Sequence, residues 1–543
     1  MATSPVRPSR PSPWDPRSAI RRGTGRAALL AAAMAIPVGG VLPAGLEAQD
    51  APERVHPFQQ DVHYTIEASQ DDASNVLTGR ARMVYTNNAP DPLDRLYFHQ
   101  YLNAFRPNSA WAEYDLRFDN RAFQDLGPED HAFERITGFQ VDGESVQPVY
   151  PGEPDSTVFF VRLPEPLQPG ETLTATIDWE ARLSTEPRRQ GRRDRQYNWA
   201  HWYPRVAVYG AGGWEYREHI RPGELNGTFA TYDVSLELPH DQVLGATGVP
   251  VEGDPGWESA AVQESEPVAY LRDFYGDISA EPLGLLRGSP EEGRKRVRWH
   301  AENVHNFAWS TSPDYRYRGG LWNEKPIHLL WEPSNENWDP ERIMRQQIAA
   351  LDWMEELFGE YPWPQITVTD RVESGATEFP MLYMTTGGAV VHETMHMVAH
   401  GILANNEWRE GWLDEGMASF LTSWLQVEQG ADEEDVWGGV EAMIQQMDAA
   451  GQSEPVGLPG AEFSSYRMYS LMTYGKGSLV LRMLRDTLGE ETFREGMKEY
   501  YDRFRFRQVT GEDFQNVMED VSGQDLDPFF QQWIHTTEGR FTR

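Results

Sequence analysis

The chain has 543 residues, 39% of them hydrophobic and 24% charged, which makes it too long for one ordinary domain and too apolar to be disordered. Lys and Arg number 48 against 84 Asp and Glu, a net charge of −36 that disfavours nucleic acid and anionic membrane as partners. Cysteine is absent, so disulfides, thiolate metal ligands, iron–sulfur clusters and cysteine nucleophiles are excluded.

Residues 1–26 carry six arginines against a single acid, Asp15. An uncharged stretch from Ala27 to Leu46 follows, then Glu47-Ala48-Gln49. A basic region, a short apolar segment and a small residue before a polar one predict a signal peptide over residues 1–48 and an exported chain. The rival reading is an uncleaved membrane anchor, which Pro37, Gly39, Gly40, Pro43 and Gly45 weaken. The pair Arg21-Arg22 hints at twin-arginine export, but the residues after it fit poorly. No later segment is long and apolar enough to span a bilayer, so no stable membrane insertion of the mature chain is expected.

Residues 49–317 are expected to form an antiparallel β domain. Val62–Ala68, Arg80–Tyr85, Thr172–Trp179 and Tyr232–Leu238 alternate with the period of half-buried strands. Clusters such as Asn87-Asn88-Ala89-Pro90 punctuate them as turns. The one basic cluster in this acidic chain, Arg188–Arg195, reads as a solvated surface loop; the other reading is a contact to an anionic substrate group. The 19 tryptophans are scattered, which suits core packing better than a glycan-binding surface.

Residues 318–543 form the second expected domain, mainly helical. Ile343, Ile348, Leu351, Met354 and Leu357 share one face of a helix over 339–358, Pro362 and Pro364 end it, and Gln365–Thr369 reads as a strand. From Ala389 onward helical periodicity dominates.

Within that region lies Val391-His392-Glu393-Thr394-Met395-His396, an H-E-x-x-H pattern. A spacing of four sets His392 and His396 one helical turn apart, where both imidazoles reach one tetrahedral Zn²⁺. Glu393 beside them is placed to act as general base toward a metal-bound water. Glu415, in Trp412-Leu413-Asp414-Glu415-Gly416, follows eighteen residues after His396 and supplies a third ligand from a returning helix. Two His and one Glu leave a fourth position for water, the mark of a catalytic rather than a structural zinc site.

This set resembles the aminopeptidase N family of gluzincin zinc metallopeptidases, which carry H-E-x-x-H, eighteen residues, then Glu. The resemblance implies a saddle-like β domain followed by a thermolysin-like catalytic domain, one Zn²⁺ per chain, and peptide substrates. Two more family landmarks are in register. Tyr474-Gly475-Lys476-Gly477 matches the family's Tyr-x-Lys-Gly, whose Tyr stabilises the oxyanion, which assigns that role to Tyr474. Gly375-Ala376-Thr377-Glu378-Phe379 stands where the family has Gly-Ala-Met-Glu-Asn, a strand that lies along the substrate. The match makes Gly375 and Ala376 substrate contacts and Glu378 the acid for the peptide's free α-amine, with Thr377 and Phe379 departing from the pattern. His400 falls one further turn along the expected metal helix and reads as a buried polar residue or a supporting contact rather than a ligand.

Asp525–Trp533 resembles the last helix of the family's catalytic domain, and ten residues follow it, so the closing helical domain of larger relatives is expected to be absent and the cleft open. The sequence therefore predicts a secreted zinc metallopeptidase, foremost an aminopeptidase. An open-cleft endopeptidase and a catalytically silent scaffold are the alternatives, and oligomeric state is left open.

Overall fold

Buried and less buried side chains alternate along Val76–Thr86 and Thr172–Arg182, as they must where one face of a sheet is turned to the core. The computed structural model describes residues 58–223, 226–262, 274–275 and 278–541, and the expected signal peptide lies outside them. The strands Asp61–Asp71, Val76–Thr86, Thr172–Arg182 and Phe133–Val141 pair antiparallel in series at the centre of an eight-stranded sheet. Ala230–Pro239 joins the other edge of Asp61–Asp71 in parallel, and Arg294–Val304 continues the sheet antiparallel. Gly79 faces Trp179 across the ladder, where a Cβ would stand 2.3 Å from the indole. The indole Nε1 donates to the Trp202 carbonyl at 2.8 Å, and the Trp202 indole donates to the Phe307 carbonyl at 2.9 Å. Trp179, Trp199, Trp202, Trp299 and Trp309 are all fully buried, so tryptophan here is core material.

A second, five-stranded sheet begins at Arg316. Its order is Arg316–Trp322, Lys325–Trp331, Ile366–Thr369, Leu382–Thr385 and, at the edge, Ala376–Phe379. The helix Pro340–Phe358 crosses over between the second and third of these strands. Asp339 caps it by accepting from the amides of Glu341 and Arg342, Pro340 occupies its first turn, and Gly359 at φ 111° ends it. Ile343, Leu351, Met354 and Leu357 are buried on its inner face, each contributing about 1.5–3 kcal/mol relative to exposure. Ile348 is only half-buried. Beyond the metal helix the chain is mainly helical, with Met417–Glu428, Glu433–Ala450, Gly477–Leu488, Glu490–Phe504 and Gly511–Ser522 as the longer elements. An antiparallel β region followed by a mainly α region is the expected order. Residues 54–543 form one continuous unit. Among the described residues no helix is long and apolar enough to cross a membrane.

Candidate metal centre and its cleft

The helix carrying the H-E-x-x-H pattern is short, Val390–Met395. His392 lies inside it, and His396 caps its C-terminal end at φ −64°, ψ −14°. The one-turn spacing brings the two Nε2 atoms to 3.1 Å. The chain then turns away, and His400, at φ 80°, is not on the helix at all. Its Nε2 meets Glu407 Oε1 at 2.7 Å and its ring packs edge-on against His305, which makes it a buried polar residue apart from the ligands.

Glu415 arrives on a π-helical turn, Trp412–Gly416, that runs into the helix Met417–Glu428. Its Oε2 stands 3.2 Å from His392 Nε2 and 3.2 Å from His396 Nε2. Tyr474 sits in a second π-helical turn, Leu471–Lys476, with its hydroxyl donating to Glu415 Oε1 and its ring stacked beside His392. Wide turns of this kind recur at functional sites because they re-aim side chains without ending the helix. The two turns pack so closely that a Cβ on Gly416 would lie 2.7 Å from the Thr473 carbonyl oxygen.

The donor set fits zinc. A tetrahedral ion with bonds of ~2.0–2.1 Å needs ligand atoms roughly 3.3–3.4 Å apart. The three atoms here stand at 3.1–3.2 Å. Two ring nitrogens and a carboxylate oxygen converge on one point, and one cation there would satisfy all three. His392, His396 and Glu415 thus form a candidate triad that could hold one Zn²⁺.

Support for the ligands comes from residues next to them. Asp414 Oδ1 lies 2.8 Å from His396 Nδ1, and both groups are buried. That contact keeps the proton on Nδ1 and the lone pair on Nε2, where the metal needs it. Burial alone would push the His396 imidazole down, but Asp414 and Glu415 raise it well above the usual histidine range, and a divalent ion at the triad would take the place of the Nε2 proton. Glu393 is buried, and its Oε2 has no hydrogen-bond partner. Desolvation, then repulsion from Glu378 and Glu415, pushes its carboxyl well above the ordinary value. A divalent ion at the triad would pull it back down.

These groups open into a cavity of about 550 Å³. One wall is the edge strand Ala376–Phe379. Strand alternation turns Ala376 and Glu378 toward the cleft, while Thr377 and Phe379 are buried. Phe379 packs with Ala200, Ala308, Leu382 and Met384, so that departure from the family pattern is a packing choice behind the cleft. The basic segment 188–195 is not a solvated loop. Arg188 and Arg189 line the cavity, and Gly191–Arg193 forms a strand with Gln196–Trp199. Arg189, at φ 54°, donates to Thr377 Oγ1 at 2.9 Å and reaches Glu378 Oε1 at 3.4 Å. Arg221 and Arg371 complete a four-arginine wall. Asp414 was visible in sequence as the neighbour of Glu415, whereas Arg221 and Arg371 carry no local motif.

A model of the peptidase family M1 domain matches residues 343–533, a span that includes both histidines, Glu415 and Tyr474. Mitochondrial aminopeptidase 2 of Saccharomyces cerevisiae is 31% identical over 246 residues, 38% of this chain and 24% of that protein. Glutamyl aminopeptidase of Rattus norvegicus is 28% identical over 344 residues, 56% of this chain and 32% of that one. The alignments with these two relatives thus span less than a third of their lengths. The fold is also similar to a crystal structure of an M1 zinc metallopeptidase from Deinococcus radiodurans, at TM-score 0.57 and 17% identity, covering 89% of this chain and 93% of that one. A structure of a variant of that enzyme bound to a Tyr-Ser-Ala substrate superposes with TM-score 0.58. At 17% identity these structures speak to the fold alone. The family-domain match covers residues 343–533 of 543, and the His392, His396 and Glu415 triad lies inside it, so this segment is similar to the catalytic domain of the M1 peptidases.

Proposed function

We propose that the protein is an exported zinc aminopeptidase of the aminopeptidase N type, taking peptide substrates in the cleft beside His392, His396 and Glu415. The observation that carries the reading is the convergence of the ligand triad, an unpartnered buried Glu393 and an edge strand bearing Glu378 on one cavity. Zinc at the triad would supply Lewis-acid polarisation of the scissile carbonyl and an acidified water. In this proposal Glu393 takes the proton of the attacking water and hands it to the leaving amine. Tyr474 gives its hydroxyl hydrogen to the developing oxyanion. Gly375 and Ala376 run beside the peptide backbone, and Glu378 holds the free α-amine. The aminopeptidase names of the yeast and rat relatives support this choice.

An endopeptidase is the second reading, and one contact favours it: Arg189 already engages one oxygen of Glu378. The two readings part on kcat/KM for a free peptide and its N-acetylated form, in wild type and in Glu378→Gln. An aminopeptidase should prefer the free amine by roughly tenfold to a hundredfold, the worth of one charge-assisted hydrogen bond, and Glu378→Gln should erase most of that preference. Equal rates on both peptides in the wild type would make the enzyme an endopeptidase.

A further inference from the structure

The cleft wall away from the metal ligands holds four arginines, Arg188, Arg189, Arg221 and Arg371, and acids pair with three of them within 3.4 Å. Glu186 meets Arg188 Nη1 at 2.9 Å. Glu373 serves two of the arginines, meeting Arg188 Nη1 at 3.1 Å and Arg371 Nη2 at 2.8 Å. Glu378 serves Arg189. Arg221 is held differently. Its guanidinium carbon sits over the Tyr466 ring, 4.3 Å from the centroid, and its ion pair with the buried Asp115 is long, 3.9 Å. Asp115 spends its other oxygen on the Trp111 indole at 3.2 Å and the Asn120 amide at 2.8 Å. Stacking orients the guanidinium while leaving its N–H fork unmatched to a close carboxylate, and a planar fork is the group that takes a carboxylate two bonds at a time. Tyr466 also lines the cavity, so Arg221 is presented at the cleft itself.

We propose that this wall, centred on Arg221, is a carboxylate-binding subsite, and that the preferred substrates are acidic peptides. The inference rests on the peptidase reading above and names its substrate class. The carboxylate is an Asp or Glu side chain near the scissile bond or the C-terminal carboxylate of a short peptide. Arg221 is the guanidinium of this wall whose paired carboxylate lies beyond hydrogen-bond distance, at 3.9 Å, so it is the group that an incoming carboxylate would engage.

The test compares kcat/KM on matched peptides with the zinc-loaded full chain. One arm sets Glu-Ala-Ala amide against Gln-Ala-Ala amide; the other sets Ala-Ala-Ala acid against Ala-Ala-Ala amide. Wild type should favour the charged member of at least one pair by roughly tenfold or more, the effect residing in KM, and the arm that responds identifies the source of the carboxylate. Arg221→Gln should bring that ratio close to one, and Arg221→Glu should shift preference toward a Lys-Ala-Ala peptide. Binding of the same peptides to Glu393→Gln protein, followed by calorimetry, should rank them in the same order without turnover. Ratios near one in both arms of the wild type would overturn the proposal, as would a strong ratio untouched by both Arg221 variants. Failure to cleave any of these peptides, with no ranking in the binding measurement, would instead sink the peptidase reading on which it stands.

Discussion

At the scale of single residues, the site separates groups that hold the metal from groups that need it. Glu393 has no protein partner for Oε2 and is pushed toward its neutral form by burial and by two nearby carboxylates. In the proposed role of general base, Glu393 would depend on the cation for its charge. Glu393→Gln should therefore retain stoichiometric zinc yet lose several orders of magnitude in kcat, checked by metal analysis beside steady-state kinetics. Retained activity would remove Glu393 from the chemistry. Asp414 is the reverse case, since it touches His396 at 2.8 Å and reaches the metal only through it. Asp414→Asn should weaken zinc affinity by roughly tenfold to a hundredfold, read by competition with a chelator, because a neutral amide holds the Nδ1 proton less strongly than a carboxylate and can turn its NH2 to the ring instead. An unchanged affinity would mean that the Ala399 carbonyl, 3.3 Å from Nδ1, does that work alone.

At the scale of elements, the decisive contact is between the two π-helical turns, Trp412–Gly416 and Leu471–Lys476. One delivers Glu415, the other Tyr474, and their separation is set by glycine. Gly416 has an ordinary helical φ of −66°, so its need for glycine is one of space rather than backbone freedom. A methyl group there would meet the Thr473 carbonyl oxygen at 2.7 Å, and backbone cannot swing aside as a side chain can. Gly416→Ala should cost about 1–3 kcal/mol in stability, the range for overpacking a tight core, and should depress kcat by prising Tyr474 from Glu415. Thermal unfolding together with kcat on one peptide checks both, and a variant with wild-type values for each would show that the turns give way. Lys476 in the same turn is not a substrate contact: its ammonium is buried and donates to Asp448 Oδ1 and the Gly539 carbonyl, both at 2.9 Å. The Tyr-x-Lys-Gly pattern thus joins a cleft residue to one that ties the turn to the last residues of the chain.

Across the whole molecule, stability carries a pH signature set by buried acids. Glu410 accepts from the Gly511 amide at the start of the helix Gly511–Ser522, and burial pushes its carboxyl from 4.5 up to about 7. The folded state therefore keeps a proton that the unfolded chain has lost between pH 4.5 and 7. Stability from this group is greatest below pH 4.5, falls as pH rises through that window, and levels off above pH 7. Glu410→Gln keeps an acceptor for the amide and cannot ionise. The variant should gain on wild type across the window by up to roughly 3 kcal/mol, and denaturant melts at pH 5 and pH 7.5 measure it. A stability difference that is the same at both pH values would show that Glu410 is ionised in the fold at low pH as well.

What the sequence determined by itself is what short-range spacing can encode. The i,i+4 histidines, the period-2 strands and the helix over 339–358 are set by neighbours along the chain and stand where the pattern puts them, although Gly359 rather than Pro362 or Pro364 ends that helix. Two local readings failed for a physical reason. The metal helix stops at His396, because the chain folds back to pair Ala399 with Leu403, so His400 points elsewhere than its spacing suggests. The loop 188–195 is drawn into the cleft by Thr377, Glu378 and Glu373, acids and a hydroxyl some 185 to 189 residues away, and no local pattern reports such partners. The parallel pairing of Asp61–Asp71 with Ala230–Pro239 is equally invisible in alternation, which fixes the face of a strand but not its neighbour. Arg221 and Tyr466 meet only because two distant segments converge on one cavity. Ligand identity could be read from spacing because one helical turn enforces it; the chemistry of the opposite wall required tertiary contacts, since charge complementarity acts through space and leaves no period in the sequence.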